Sequence, residues 1–213
     1  MSASLHIING SGVLDAYESA LRERAAFAIQ RAGSLLPLDR LDIVLSVNPW
    51  HSIPELGIGG SSPTAHIMYI SVDPSTSALN AHLEEELPPT IGHEWHHCAR
   101  WRTPGYGSTL LGALVSEGLA MHFEREFRET PPLYATGVVG TELARLYTLA
   151  RHELNALTYD HAAWFFGDVA RGLPRWAGYA LAYDLVGRGL KAMGQTAAEL
   201  ANVPARVFLK YWN

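Results

Sequence analysis

Apolar positions recur at three- or four-residue spacing through residues 13–32, where Leu14, Tyr17, Leu21, Ala25 and Ala28 mark one face of an amphipathic helix. Gly33 follows as its expected C-cap. The period then shortens. Leu41 to Val47 is β-branched and partly alternating, which predicts a strand ended by Asn48-Pro49. His66 to Val72 predicts a second strand, stopped by Asp73-Pro74. Residues 50–65 hold Pro54, Gly57, Gly59, Gly60 and Pro63 and are expected to form a long loop. Helical periodicity dominates afterwards. A helix is expected over 78–87, with Glu84, Glu85 and Glu86 on its wet side. Pro88-Pro89 breaks it, and a new helix starts near Pro89 and runs to about Trp101, because proline is tolerated in a first turn. A turn over Thr103 to Gly107 precedes a helix from Leu110 to Phe127. Further helices are expected over 141–157 and Ala177 to Met193, with a short one over Thr196 to Asn202. Strands early and helices late predict an α+β fold, with a small N-terminal mixed sheet ahead of a mostly helical second half.

The length of 213 residues fits one domain. It is expected to form an N-terminal lobe of about 1–101 and a C-terminal helical lobe of about 102–213, with a cleft between them. The 16 Lys and Arg against 21 Asp and Glu leave a net charge of −5. That balance lacks the basic face a nucleic-acid partner requires. No apolar run is long enough to span a membrane. The start carries no cationic segment ahead of an apolar one, so the expected location is the cytoplasm. A single cysteine, Cys98, excludes an internal disulfide. Ten histidines are many for this size, and they direct attention to metal chemistry.

Residues 93–97 read His-Glu-Trp-His-His, an H-E-x-x-H pattern. On a helix, His93 and His97 lie four apart on one face, so both imidazoles address one ion. Glu94 stands beside the open metal position, where it can take a proton from water. The third ligand decides the class. A metzincin pattern would need Gly at 100 and His at 103, and the chain has Arg100 and Thr103. Peptide deformylases use an upstream cysteine, whereas Cys98 follows the motif. The remaining common solution is a glutamate on the next helix. Glu117, in Val-Ser-Glu-Gly-Leu-Ala-Met, follows His97 by twenty residues, and Gly118 and Ala120 beside it would let helix backbones approach. Two histidines and one glutamate leave a fourth zinc position for water, the catalytic arrangement, with one Zn2+ per chain.

This arrangement resembles the gluzincin clan of zinc peptidases. More narrowly, His93-Glu-Trp-His-His-Cys-Ala-Arg100, Ser116-Glu-Gly-Leu-Ala120 and Trp176-Ala-Gly-Tyr-Ala-Leu-Ala-Tyr183 resemble the DUF2268 family of predicted zinc-dependent proteases. The Ile58-Gly-Gly60 segment and Ile67-Met-Tyr-Ile-Ser fit that pattern too. The resemblance covers roughly residues 40–193 and implies a zincin-like fold with an active-site helix. It also implies a peptidase acting on peptide or protein substrates. Thermolysin-like members of the clan carry an acid four residues after the glutamate ligand. Met121 stands there in this chain, so a supporting carboxylate must come from elsewhere, with Glu124 as the candidate. Clan members also use a Tyr or His of the C-terminal half as oxyanion donor. Tyr179 is the first choice here, followed by Tyr183 one turn later and His161. The strand at 66–72 is expected to offer a free edge to substrate backbone.

Other residues have plainer readings. His96 sits about 100° round the helix from His97 and is expected to pack rather than ligate. Arg100 is expected to cap the helix end, and Cys98 to pack as a small hydrophobe. Two alternatives to a peptidase stand beside the leading reading. One is a non-catalytic peptide- or protein-binding module on the same scaffold. The other is a zinc hydrolase of a non-peptide amide.

Overall fold

A computed structural model describes residues 3–212. The chain divides into two compact units, Met1–Arg102 with Glu126–Arg128, and Thr103–Arg125 with Glu129–Asn213. It is an α+β protein with a four-stranded mixed sheet and otherwise mostly helices.

The first unit holds the sheet. Strands β1 (Ala3–Ile8), β2 (Leu41–Val47), β3 (Ile58–Thr64) and β4 (Ile67–Val72) pair in the order β1-β2-β4-β3. β1 runs parallel to β2 and β2 to β4, while β3 is antiparallel to β4. Alternation places Leu41, Ile43 and Leu45 of β2 in the core, joined by Met68, Ile70 and Val72 of β4. Two expectations change here. β4 lies between β2 and β3, so it has no free edge; the edge beside it belongs to β3. β3 itself occupies part of the stretch read as a loop. Its glycines and proline disguise it, yet each has a place in the strand. A Cβ on residue 59 would lie 2.3 Å from the His51 carbonyl oxygen, so only glycine fits. Pro63 sits where the β3–β4 register shifts, between Ser61 and Thr64, on an edge strand that tolerates a missing N–H.

Helix α1 (Glu18–Leu35) buries Leu21, Ala25, Ala28 and Ala32 along one stripe. Gly33, expected to end it, lies inside it and is buried. Helix α2 spans Ser77–Arg102 without interruption and carries Pro88 and Pro89 in its interior. The sequence reading placed a break there. Pro88 cannot donate to the Glu84 carbonyl four residues back, and Arg24 Nε of α1 donates to that oxygen instead at 3.0 Å. α2 packs on α1, β3 and β4. Trp95 is fully buried, and its indole N–H donates to the Leu36 carbonyl at the end of α1 (2.8 Å), which fixes the rotation of α2 about its axis.

The segment Glu126–Arg128 belongs to this unit. Arg128 forms a two-pronged ion pair with Glu86, both bonds at 2.8 Å. Glu86 is therefore buried, not solvated as its place in a glutamate run predicts. Phe127 packs so closely on Gly92 that a Cβ there would lie 2.4 Å from its ring.

The second unit is helical. α3 (Leu110–Glu124) and α6 (Ala177–Met193) form its centre, with α4 (Gly140–Ala150) and α5 (His161–Phe166) against α6. The close approach at Gly118 is made to α6: a Cβ there would lie 2.4 Å from the Ala182 carbonyl. α4 stops earlier than predicted, at Ala150, and α5 was not anticipated. Residues 196–202 form turns, followed by a 3-10 helix at Ala205–Tyr211. Among the described residues, no helix is long and apolar enough to cross a membrane.

Candidate metal centre

In the first unit, α2 carries His93, Glu94 and His97, all buried. The i, i+4 spacing turns both imidazoles the same way. Their Nε2 atoms stand 2.9 Å apart, with ring planes inclined at 76°. Two imidazole nitrogens bound tetrahedrally to one zinc at usual bond lengths are about 3.3 Å apart. A small spread of the two rings therefore fits them to a single ion.

Glu94 is held from two sides of its own residue. Its backbone carbonyl accepts a hydrogen bond from Ser62 Oγ of β3 at 3.0 Å. Its side chain lies directly on Gly60: a Cβ at residue 60 would come within 2.5 Å of Glu94 Cγ and 2.7 Å of Oε1. The strand read as a loop thus forms the wall behind the proposed base. Cys98 is buried beside Ser62, and burial pushes its thiol up to about 12. It is an inert packing group, as expected. His96 is fully buried. Arg100 lies in the last turn of α2 but is buried rather than displayed at a helix end.

In the second unit, Glu117 is buried on α3 and accepts a hydrogen bond from the Tyr106 hydroxyl, Oε1 to O 2.5 Å. Ser116 Oγ donates to the Tyr106 carbonyl at 2.6 Å and pins the 103–107 turn onto the helix. Burial and the Glu117 charge push the Tyr106 phenol well above its ordinary value. The same two causes raise Tyr159 to about 12. His161 accepts from or donates to the Tyr159 hydroxyl at 3.0 Å, and burial lowers its pKa against the opposing pull of Glu117 and Asp160. Glu124 accepts from the Tyr134 hydroxyl at 2.5 Å. Tyr179 stands between the rings of Tyr134 and Phe165, at 5.0 and 4.9 Å. Tyr183 stacks flat on His122 at 4.1 Å.

Periodicity found the helix-borne residues and missed the groups that brace them. Gly60 and Ser62 lie in the stretch read as a loop. Tyr106 and Tyr159 lie on irregular backbone, and Tyr134 in a three-residue 3-10 helix, Leu133–Ala135. One signal was available for Tyr106: it stands between two glycines, and Gly107 is pressed so tightly on α3 that a Cβ would lie 2.7 Å from Gly112 Cα. Gly105 on the other side meets nothing within 4 Å, so the close packing that places Tyr106 is at Gly107.

The donor set suits zinc. His93, His97 and Glu117 are each buried, and each offers one ligand atom of a type zinc accepts. No curated protein and no solved structure matches the chain significantly. The profile of a family described as predicted Zn-dependent protease (DUF2268) matches residues 21–210. With that match covering most of its length, the chain belongs to the DUF2268 family of predicted Zn-dependent proteases.

Proposed function

We propose that this protein is a zinc-dependent peptidase of the gluzincin type, with His93, His97 and Glu117 holding one zinc. The observation that carries this reading is the pair of buried Nε2 atoms converging one turn apart on α2, with Glu94 backed against Gly60 beside them. Bound zinc supplies Lewis acidity, which polarises a carbonyl and lowers the pKa of water to about 7.

The chain's own residues do the rest. Glu94 takes a proton from the attacking water and delivers it to the leaving amine. Its burial keeps it away from bulk solvent, so the proton it holds is passed to the substrate. Tyr106 orients the Glu117 carboxylate through its short hydrogen bond. Tyr179 donates to the oxygen that becomes negative at the scissile carbonyl. Of the two alternatives, Tyr183 stacks on His122 and His161 is hydrogen-bonded to the Tyr159 hydroxyl. Substrate backbone adds to the edge of β3 in place of the 66–72 strand. Gly60 and Ser61 are exposed there, while Ile58 is already bridged to Ile53.

The test combines metal content with turnover. The purified chain should hold one zinc and cleave a peptide library. Glu94→Gln should keep the zinc and lose turnover, and Glu117→Ala should weaken or lose the metal. A chain that takes up no zinc when it is supplied would refute the reading. Parental turnover in Glu94→Gln would refute the mechanism.

A further inference from the structure

The second unit contains a cavity of about 340 Å³ that involves none of the proposed ligands. Val138 and Val139 line it, with Leu143 of α4 and Ala180 of α6. Its size lies in the range of small-molecule sites, which begins near 300 Å³. The wall follows α6 from Ala180 through Tyr183 and Gly187 to Lys191, positions that share a face at helical spacing. Eleven residues of helix rise about 16 Å, so the cavity is elongated and its two ends differ.

The Ala180 end is apolar. Asp184 and Arg188 follow along the wall, and Lys191 closes the other end. Arg188 and Asp184 neutralise each other across 3.1 Å, and Asp184 also accepts from the Tyr147 hydroxyl. Lys191 has no ion-pair partner among the described residues, so this end has a net positive charge. His122 adds none, because burial lowers its pKa and its Nε2 is spent on the Tyr183 carbonyl at 2.9 Å. Val139, at the apolar rim, is 68% exposed. An uncovered valine beside an apolar trough that ends in an unpaired ammonium describes a receptor for a molecule of matching polarity.

We propose that this cavity binds a small amphipathic carboxylate, an aliphatic chain ending in one acid group. The chain lies on Val138, Val139, Leu143 and Ala180, and the carboxylate meets Lys191. The site stands independently of the zinc reading, since none of these residues is a proposed ligand, base or oxyanion donor.

Calorimetric titration of the full zinc-loaded chain with decanoate, decanol and decylammonium tests it. Decanoate should bind one per chain and shift the amide resonances of Val138, Val139 and residues 187–191. Decanol should bind more weakly, by up to about fivefold, the upper size of an exposed charge contact, and decylammonium more weakly still. Lys191→Glu should lower decanoate affinity by at least that factor and leave decanol unchanged. Val139→Glu should weaken both. Both side chains are at the surface, so the thermal midpoint of each variant should stay with the parent. No saturable decanoate binding, equal binding of decanol, or an indifferent Lys191→Glu would each overturn the proposal.

Discussion

Replacing Gly60 by alanine tests whether β3 positions the general base. The added Cβ would lie 2.5 Å from Glu94 Cγ and 2.7 Å from Oε1, against an ordinary contact of about 3.5 Å. Relief requires a movement of about 1 Å, and the flexible partner is the glutamate side chain, because Gly60 is itself paired with Ile70 of β4. A displacement of about 1 Å at a reacting group lowers turnover by about a hundredfold, equivalent to about 2.7 kcal/mol of barrier. Gly60 does not touch His93 or His97 among its nearest neighbours, so zinc content should be unchanged. Alanine in place of a strand glycine would by itself raise stability by about 0.5–1 kcal/mol, which leaves the thermal midpoint near the parent's. The assay is kcat and KM on a peptide cleaved by the parent, with zinc content and amide exchange of β3 measured on the same samples. A double-mutant cycle with Glu94→Gln sharpens it: once the carboxylate is gone, Gly60→Ala should add almost nothing. Turnover within twofold of the parent, or an equal loss in the Glu94→Gln background, would refute the argument.

Removing Arg128 leaves Glu86 charged and buried without its partner, so Arg128→Met should destabilise by about 3–5 kcal/mol in urea unfolding, and adding Glu86→Leu should recover much of the loss. Tyr106→Phe deletes the hydrogen bond on Glu117 and should weaken zinc binding about 10–100-fold in a chelator competition. Burial lowers the His122 pKa below its usual 6.5. The unfolded chain therefore binds the extra proton first, and stability that is complete above that value is lost as pH falls below it. His122→Gln should flatten this slope in urea midpoints compared between neutral and acid pH. Cys98 should resist thiol reagents in the native chain at pH 8 and react fully in urea, because burial holds its pKa at about 12.

The sequence disclosed the parts of the candidate site that obey a period. An α-helix repeats its faces every 3.6 residues, so His93 and His97 could be paired, and Glu94 placed beside them, from spacing alone. β2 and β4 were legible from their β-branched residues. β3 was not, because its residues were chosen by close contacts: glycine at 59 under the His51 carbonyl and at 60 under Glu94, proline at a register shift. Local composition then reads as loop, although hydrogen bonds to β4 make a strand. The double proline misled in the opposite sense. It was read as a break, yet a distant arginine supplies one of the lost hydrogen bonds and α2, packed against α1, continues through it. Glu86 teaches the same lesson for charge. Its buried state depends on Arg128, forty-two residues away, which no local window contains.

These misses share one cause, and it bears on how such a site is built. Ligands can sit on helices because a helix sets the separation of two side chains without outside help. The groups that orient them must approach from another direction, so they come from segments whose path is set by contact. Gly60 reaches Glu94 from a strand edge. Tyr106 reaches Glu117 from a turn that Ser116 anchors to α3. Such bracing is specified residue by residue, through a missing Cβ or a single hydroxyl. It follows that substitutions in these bracing segments should disturb chemistry while leaving the fold largely intact. Substitutions of the proposed ligands on α2 and α3 should disturb chemistry and metal content together. Gly60→Ala and Tyr106→Phe fall on either side of a further division: the first acts on the base and should spare the metal, the second acts on a proposed ligand and should loosen it. If both variants lost zinc and turnover in equal proportion, bracing and ligation would be one function, and this account of the site would have to be abandoned.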